Sequence, residues 1–381
     1  MSAIPRGSVV AMILAMSLVS SPVRSAGGSS SVTAAPSCAS SDDTRPTGLV
    51  VVIEYKTRAQ FTADLRALKN ASIRGAALQI HWSDVEPSSD SFDWSALDEL
   101  FAASSADSKW VQLLIFPGFF SPRWALEGVK TGSFPLQYGP GAGTAAALPM
   151  PWDRTYLGRW TTFLRRLSDR YASNPALRVM AADGPTSVSA ETTLPNSPPD
   201  LRKWQTNGYT PTKYLGAWRD VLDAYAADFP NQCVSISGGA SAGLNINDHG
   251  RLEPQQNIRT KKAIVDEATR RFGPRFALQL SDVHAGPGPH VESSEGEDHY
   301  IIDQIGHVIT GFQLRTSAEH GSAVMGAQGN PPLALKKSLD LALATNSAGR
   351  HVDYVEVYSP DVFAADLQPA LQAAAARFAH K

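Results

Sequence analysis

Side chains able to do chemistry recur at every second position of short apolar runs in this 381-residue chain. Gln79 and His81 alternate with Leu78 and Ile80, and Tyr354, Glu356 and Tyr358 alternate with Val355 and Val357. Glu54, Gln112, Gln279, Ser281 and Gln313 hold equivalent places in other runs. Successive side chains of a strand point to opposite faces, so the polar members share one face and the aliphatic members the other. Carboxylates, an imidazole, amides and phenols gathered on one face can move protons and bind hydroxyl-bearing ligands. A buried polar group without a partner costs roughly 1–3 kcal/mol in typical mutational data. A face this polar is therefore expected at a pocket. A satisfied core residue explains any one member of the set but not all of them.

For such faces to converge, the strands must close on themselves. From residue 48 onward, β-like runs alternate with stretches of helical period, the pattern of repeated β-α units. Strands are predicted at 49–55, 76–82, 110–116, 178–182, 233–237, 276–281, 308–314 and 352–358. Helices are predicted at 58–70, 95–104, 157–171, 214–227, 256–272, 332–344 and 364–378. Thr57 before the first helix and Pro332 at the start of the sixth are good boundary residues. Eight β-α units are what a (β/α)₈ barrel needs, a single α/β domain over residues 48–381 with its polar pocket at the carboxy-terminal mouth. The rival, a doubly wound open sheet, usually carries a Gly-rich phosphate loop after its first strand. Here that place holds Glu54, Tyr55, Lys56 and Thr57.

The bulk properties narrow the partners. A formal charge of -2 leaves no basic footprint for nucleic acid and no polybasic signal for lipid. Arg6, the apolar stretch 9–19 and small residues at Ser25, Ala26 and Gly27 read as a secretory leader over residues 1–26, too short to span a bilayer comfortably. Secretion without a membrane anchor is the expectation. Residues 27–47, rich in Ser, Ala and Pro, read as a flexible lead-in. Export permits a disulfide between the two cysteines, Cys38 and Cys233, and a bridge could pin the lead-in to the barrel base; one loose and one buried thiol fits as well. Two cysteines and no Cys/His cluster make a structural zinc site improbable.

Three stretches carry a family resemblance. The run 79–94 holds Trp82, Glu86, Pro87, Phe92, Asp93 and Trp94 and leads into a helix. It resembles the second-strand segment of the retaining glycoside hydrolase clan that includes cellulase-like and β-galactosidase-like barrels. Residues 116–124, with Phe116, Pro117, Phe119, Phe120 and Trp124, are similar to the third-strand loop of those enzymes, whose aromatics wall the sugar pocket. Pro151, Trp152 and Asp153 lead into a helix, a fourth strand and a loop carrying Glu191. In the clan the acid/base glutamate lies just beyond the fourth strand, so the resemblance implies that Glu191 is the proton donor. It departs from the clan at Ala190, where an asparagine is usual, and at Gln313, which stands where the nucleophile glutamate is expected.

What the resemblance implies is a secreted glycoside hydrolase acting on an oligo- or polysaccharide, needing no cofactor or metal. Two carboxyl groups are the usual solution, one to protonate the departing oxygen and one to act as anionic partner. Glu356 is favoured slightly as partner, with Glu319 next; Asp282, His284 and substrate assistance are further options. Trp82, Trp124, Phe119, Phe120, Trp152 and Tyr358 are candidate platforms for sugar rings, though any one Trp is more often core. Glu54, Gln79, His81 and Gln313 could bind hydroxyls. The acidic loop 286–299 could cover the site or hold a cation, although a solvated loop is the plainer reading. The competing reading is a carbohydrate-binding barrel without catalysis, which Gln313 favours. A metal-dependent hydrolase fits less well, because His81, His284, His290 and His299 are scattered without ligand spacing.

Overall fold

A computed structural model of the chain describes residues 37–41, 43–137, 141–188, 194–237, 243–286 and 300–379. Among the described residues there are ten strands: β1 (Gly48–Glu54), β2 (Ile73–His81), β3 (Trp110–Phe116), β4 (Thr131–Pro135), β5 (Ala145–Pro149), β6 (Leu177–Ala181), β7 (Cys233–Ser237), β8 (Phe276–Val283), β9 (Ile309–Leu314) and β10 (Tyr354–Tyr358). Eight of them close a parallel barrel in the order β1-β10-β9-β8-β7-β6-β3-β2. Each corresponds to one of the eight strands expected from the sequence, so the fold is a (β/α)₈ barrel. The pair β4–β5 is an antiparallel hairpin outside it.

The outer helices form where apolar residues recur at helical spacing. In Arg154–Tyr171, Asp153 caps the start by accepting from the Tyr156 N–H at 3.0 Å. Tyr156, Trp160, Phe163, Leu164, Leu167 and Tyr171 then bury one face. Each such side chain contributes roughly 1.5–3 kcal/mol on burial. Thr57 caps Arg58–Asp64 in the same way, as expected. Two excursions were not anticipated. The β4–β5 hairpin and the helix Pro198–Asn207 pack together, with Phe134 stacked 4.3 Å from Trp204.

Inside the barrel, tilt and stagger place side chains from alternate strands at common levels. From the base upward the strand register gives Gly48, Trp110, Cys233 and Ile309, then Gly75, Val179, Ala277 and Tyr354, then Val50, Gln112, Ser235 and Gly311. The narrow fit shows at Gly311, where an added Cβ would lie 2.1 Å from the Tyr354 ring. Higher up the side chains become polar.

The lead-in residues described, from Ser37 onward, lie against the base. Cys38 is disulfide-bonded to Cys233, its N–H donates to the Asn231 carbonyl at 2.8 Å, and both cysteines are buried. Arg45 pairs with the buried Asp353 at 2.9 Å, and the Trp110 indole donates to the Thr47 carbonyl at 3.1 Å. A segment whose composition is that of a linker is thus held by one covalent and several polar anchors.

Candidate functional site

The levels nearest the carboxy-terminal mouth differ in kind from those below. Ala77, Ala181, Gln279 and Glu356 form one level. Gln279 ties it to the core: its Oε1 accepts from Gln112 Nε2 at 2.9 Å and from the Tyr354 hydroxyl at 3.0 Å. Above it lie Val52, Leu114, Ser237 and Gln313, all at most 6% exposed, which makes a closed floor. The next level holds Gln79, Ser281 and Tyr358, each partly open to solvent. Ser281 reaches down to Ser237, hydroxyl to hydroxyl at 3.0 Å. Glu54, Phe116 and Arg315 stand at the rim, where Glu54 pairs with Lys56 at 2.7 Å.

On the β2 side the rim is aromatic. The His81 ring lies flat on Phe120, centroids 3.9 Å apart and planes within 1°, with Phe116 6.4 Å away. His81 Nδ1 is 3.4 Å from Asp84 Oδ2. Burial pushes the imidazole below its ordinary 6.5 and outweighs the opposing pull of Asp84, so His81 stays neutral near neutrality. Burial pushes the Asp84 carboxyl up for the same reason.

The chain leaving β6 is fixed at each step. The Ala182 N–H extends the ladder to Ser235, the Asp183 N–H donates to the Tyr225 hydroxyl at 3.1 Å, and the Asp183 carbonyl accepts from Trp160 Nε1 at 2.9 Å. Gly184 has φ +140°, and a Cβ there would lie 2.8 Å from that indole nitrogen. Gly118 is pressed equally hard on the other side: a Cβ would meet the Ser187 carbonyl at 2.3 Å, beside the Phe119 N–H to Ser187 bond of 2.9 Å. Ser187 Oγ donates to Gln137 Oε1 at 2.7 Å. Glu191 lies outside the described residues. The segment bearing it leaves from the buried Val188 and returns at the fully buried Leu194 and Pro195, whose carbonyl accepts from Trp204 Nε1 at 2.8 Å. Beyond β8, Asp282 holds φ +84°, a conformation costing about 1–3 kcal/mol in a non-glycine residue. Its carboxylate pairs with Arg315 at 3.2 Å, and its carbonyl lies 2.9 Å from Nδ1 of the buried His284.

The structure brings Gln79, His81, Phe120, Gln313, Tyr358 and Glu54 to the mouth, while Trp82, Trp124, Trp152, Glu319 and Glu356 lie away from its open level. Trp82 is a correction: it is 0% exposed in a cluster with Trp124, Trp160 and Phe163, and its indole donates to the buried Glu86 at 2.9 Å. A ring sealed in the wall offers no face to a sugar. Trp124 is half-buried against Trp82 and donates to the Glu86 carbonyl, on a groove lined also by Arg154 and Arg159 outside the mouth. Trp152 packs on Trp204 and Tyr209 beneath the hairpin. Glu319 is exposed, its N–H held by Asp361. Glu356 is 0% exposed beneath the closed floor. Residues 287–299, including His290 and His299, lie outside the described residues. Asp183, just past β6, is wholly buried and was not expected from the sequence.

No protein-family model and no curated protein matches the sequence. Solved structures do resemble the fold. The catalytic domain of beta-amylase from Paenibacillus polymyxa shares 10% identity over 84% of this chain and 94% of that one, with a TM-score of 0.51. GH5_18 from Bifidobacterium longum subsp. longum shares 10% over 88% and 80%, with a TM-score of 0.49. Endo-glycoceramidase II from Rhodococcus sp. shares 14% over 83% and 74%, with a TM-score of 0.44. At 10% identity the likeness to the beta-amylase domain is one of fold, the closed eight-stranded parallel barrel. Among the described residues, no group of three His, Cys, Asp or Glu side chains is placed to hold a metal. No described helix is long and apolar enough to cross a membrane.

Proposed function

We propose that the protein is a secreted glycoside hydrolase that cleaves an oligo- or polysaccharide, with Glu191 donating the proton to the departing oxygen. The observation that carries this reading is the open polar level of Gln79, Ser281 and Tyr358 above a closed floor, rimmed by the His81–Phe120 stack. A pyranose presents an apolar CH face to a ring and hydroxyls to amides, hydroxyls and a neutral imidazole. Catalytic groups of (β/α)₈ enzymes sit at this end of the barrel. The solved barrels that resemble it include glycoside hydrolases, which supports the reading as analogy of fold. Glu191 follows the fourth barrel strand, and both ends of its segment are anchored in buried structure. The leader-like residues 1–26 and the Cys38–Cys233 disulfide favour an oxidising, extracytoplasmic location.

The test is sugar release from a panel of natural glycans and aryl glycosides by the mature protein, with Glu191→Gln beside it. Release by the wild type and a fall of about 10²–10⁴-fold in the variant on a natural glycan are expected. Aryl substrates with activated leaving groups are expected to lose less, because such groups need little protonation. Turnover insensitive to Glu191→Gln on every substrate removes the assignment of the donor. Sugar binding without turnover returns the protein to the non-catalytic barrel, for which Gln313 in the closed floor is the supporting feature.

A further inference from the structure

We propose that the outer wall of the barrel carries a second saccharide site, a groove that holds a neutral glycan chain beside the mouth. The inference rests on the glycosidase reading for its ligand class and extends that reading to a polymeric ligand. The groove has two hollows. One, of about 450 Å³, lies between Glu86, Asp90, Trp124 and the first turns of the helix Arg154–Tyr171. The other, of about 520 Å³, lies between Phe92, Trp94 and the last turns of the same helix. Asp90 borders both. The helix gives them one continuous row, Arg154, Gly158, Thr162, Arg166 and Arg170, each a turn beyond the last. At a rise of about 1.5 Å per residue the row runs about 24 Å, which suits an extended chain rather than a single ring.

Three features of the groove go beyond what the fold requires. Glycine is a poor helix former, yet Gly158 sits inside the helix and is exposed. Unlike Gly118 and Gly184, it has room: an added Cβ would meet nothing within 4 Å. The chain's own packing does not call for bare backbone there, whereas a ligand lying close over it does. Half-buried aromatics stand at both ends, Trp124 at one and Phe92 stacked on Trp94 at 4.8 Å at the other. Such rings suit the CH-rich face of a pyranose. Between them Asp90 is held at φ +56°, its N–H bonded to the buried Glu86 at 3.1 Å. The lining is also balanced in charge. Four carboxylates, Glu86, Asp90, Glu127 and Asp169, stand with four arginines, Arg159 and the three of the row. Such a lining favours neither a polyanion nor a polycation, while hydroxyls find both donors and acceptors. The exposed Asp90–Arg166 pair, at 3.6 Å, contributes little by itself, so hydroxyls can take its place. The two loops that rim the mouth at His81 and Phe120 run on to Asp90 and Trp124, which sets the groove beside the mouth.

The experiment is affinity electrophoresis of the mature protein through gels containing a soluble β-glucan, xylan or galactomannan, or dextran sulfate as the polyanion, a readout independent of turnover. The wild type is expected to be retarded by at least one neutral polymer and not by dextran sulfate. Gly158→Gln fills the groove and Phe92→Ala removes a platform, and each is expected to weaken the apparent affinity about tenfold. Gly158→Gln also guards against misfolding, since the change favours the helix and its melting temperature should equal or exceed that of the wild type. Equal retardation of the wild type and both variants puts the polymer in the mouth and overturns the groove. Retardation by dextran sulfate alone overturns it too, as does a dimer in sedimentation that Gly158→Gln disperses, which makes the occupant a second copy of the chain. No retardation by any neutral polymer, from a protein that releases sugar, overturns the groove while the glycosidase reading stands. Groove-dependent retardation without turnover of any glycan keeps the site and removes the catalysis.

Discussion

The two ends of the barrel are built from the same strands with the same alternation, yet they solve opposite problems. At the base, Trp110, Ile309 and Cys233 fill the lowest level and the lead-in covers it, bonded through Cys38 and anchored by Arg45 to Asp353. At the mouth, the upper levels carry Gln79, Ser281, Tyr358, Glu54 and Arg315, and Asp282 holds a strained backbone. Apolar filling removes surface from water and stabilises; polar groups near the mouth cost stability unless each finds a partner. The contrast places cohesion at one end and, if the proposed function holds, chemistry at the other, so changes at the two ends should separate in their effects.

Removing the disulfide tests that separation with the largest effect on stability. The Cys38→Ser/Cys233→Ser double variant is expected to lose about 2–5 kcal/mol, the range for a disulfide in a secreted domain. Its urea midpoint falls while kcat/KM of the folded protein at 25 °C stays within about twofold of wild type, because the bridge lies at the far end of the strands. A parallel loss of activity breaks the division between the ends. Tyr225→Phe probes the mouth from outside it. The Asp183 N–H loses its buried acceptor, at a cost of about 1–3 kcal/mol. A fall of about tenfold in kcat of the folded variant ties the chain leaving β6 to the site through misplacement; an unchanged kcat shows that this support is structural only.

The smallest effect is expected at His81. Its folded-state pKa lies below the ordinary 6.5, so between those two values the unfolded chain binds more protons than the folded one. Stability is therefore lost as pH falls from about 6.5 towards the lowered value. His81→Gln should flatten that part of the stability–pH curve, read from urea midpoints at half-unit steps. A curve unchanged by the substitution assigns the slope to another group.

Much of the barrel was legible because alternation is a local property. Val51 and Ile53 outward with Val50 and Val52 inward needed no partner information, and each barrel strand could be read this way. The same rule shows why Trp82 was misplaced: it follows the inward His81 and so must face outward, but the likeness of its surroundings to a sugar-binding segment prevailed. The lead-in could be read only in part: the Cys38–Cys233 bridge was one of two open readings, and Arg45 gains its meaning from Asp353, far away in sequence. The β4–β5 hairpin, rich in alanine and glycine, has too little contrast between its faces to announce itself.

The disulfide also sets a clock. Its partners are 195 residues apart, and β1, β2, β3 and β6 all lie between them. At about 5–20 residues per second, Cys38 waits roughly 10–40 seconds for its partner to be synthesised. With two cysteines in the chain, the protein has one internal pairing and no isomers to sort. The only wrong partner is a thiol on another molecule. Crowding of nascent chains, rather than shuffling within one, is therefore the hazard of making this protein, and the yield of disulfide-linked dimers should rise with the rate of its synthesis.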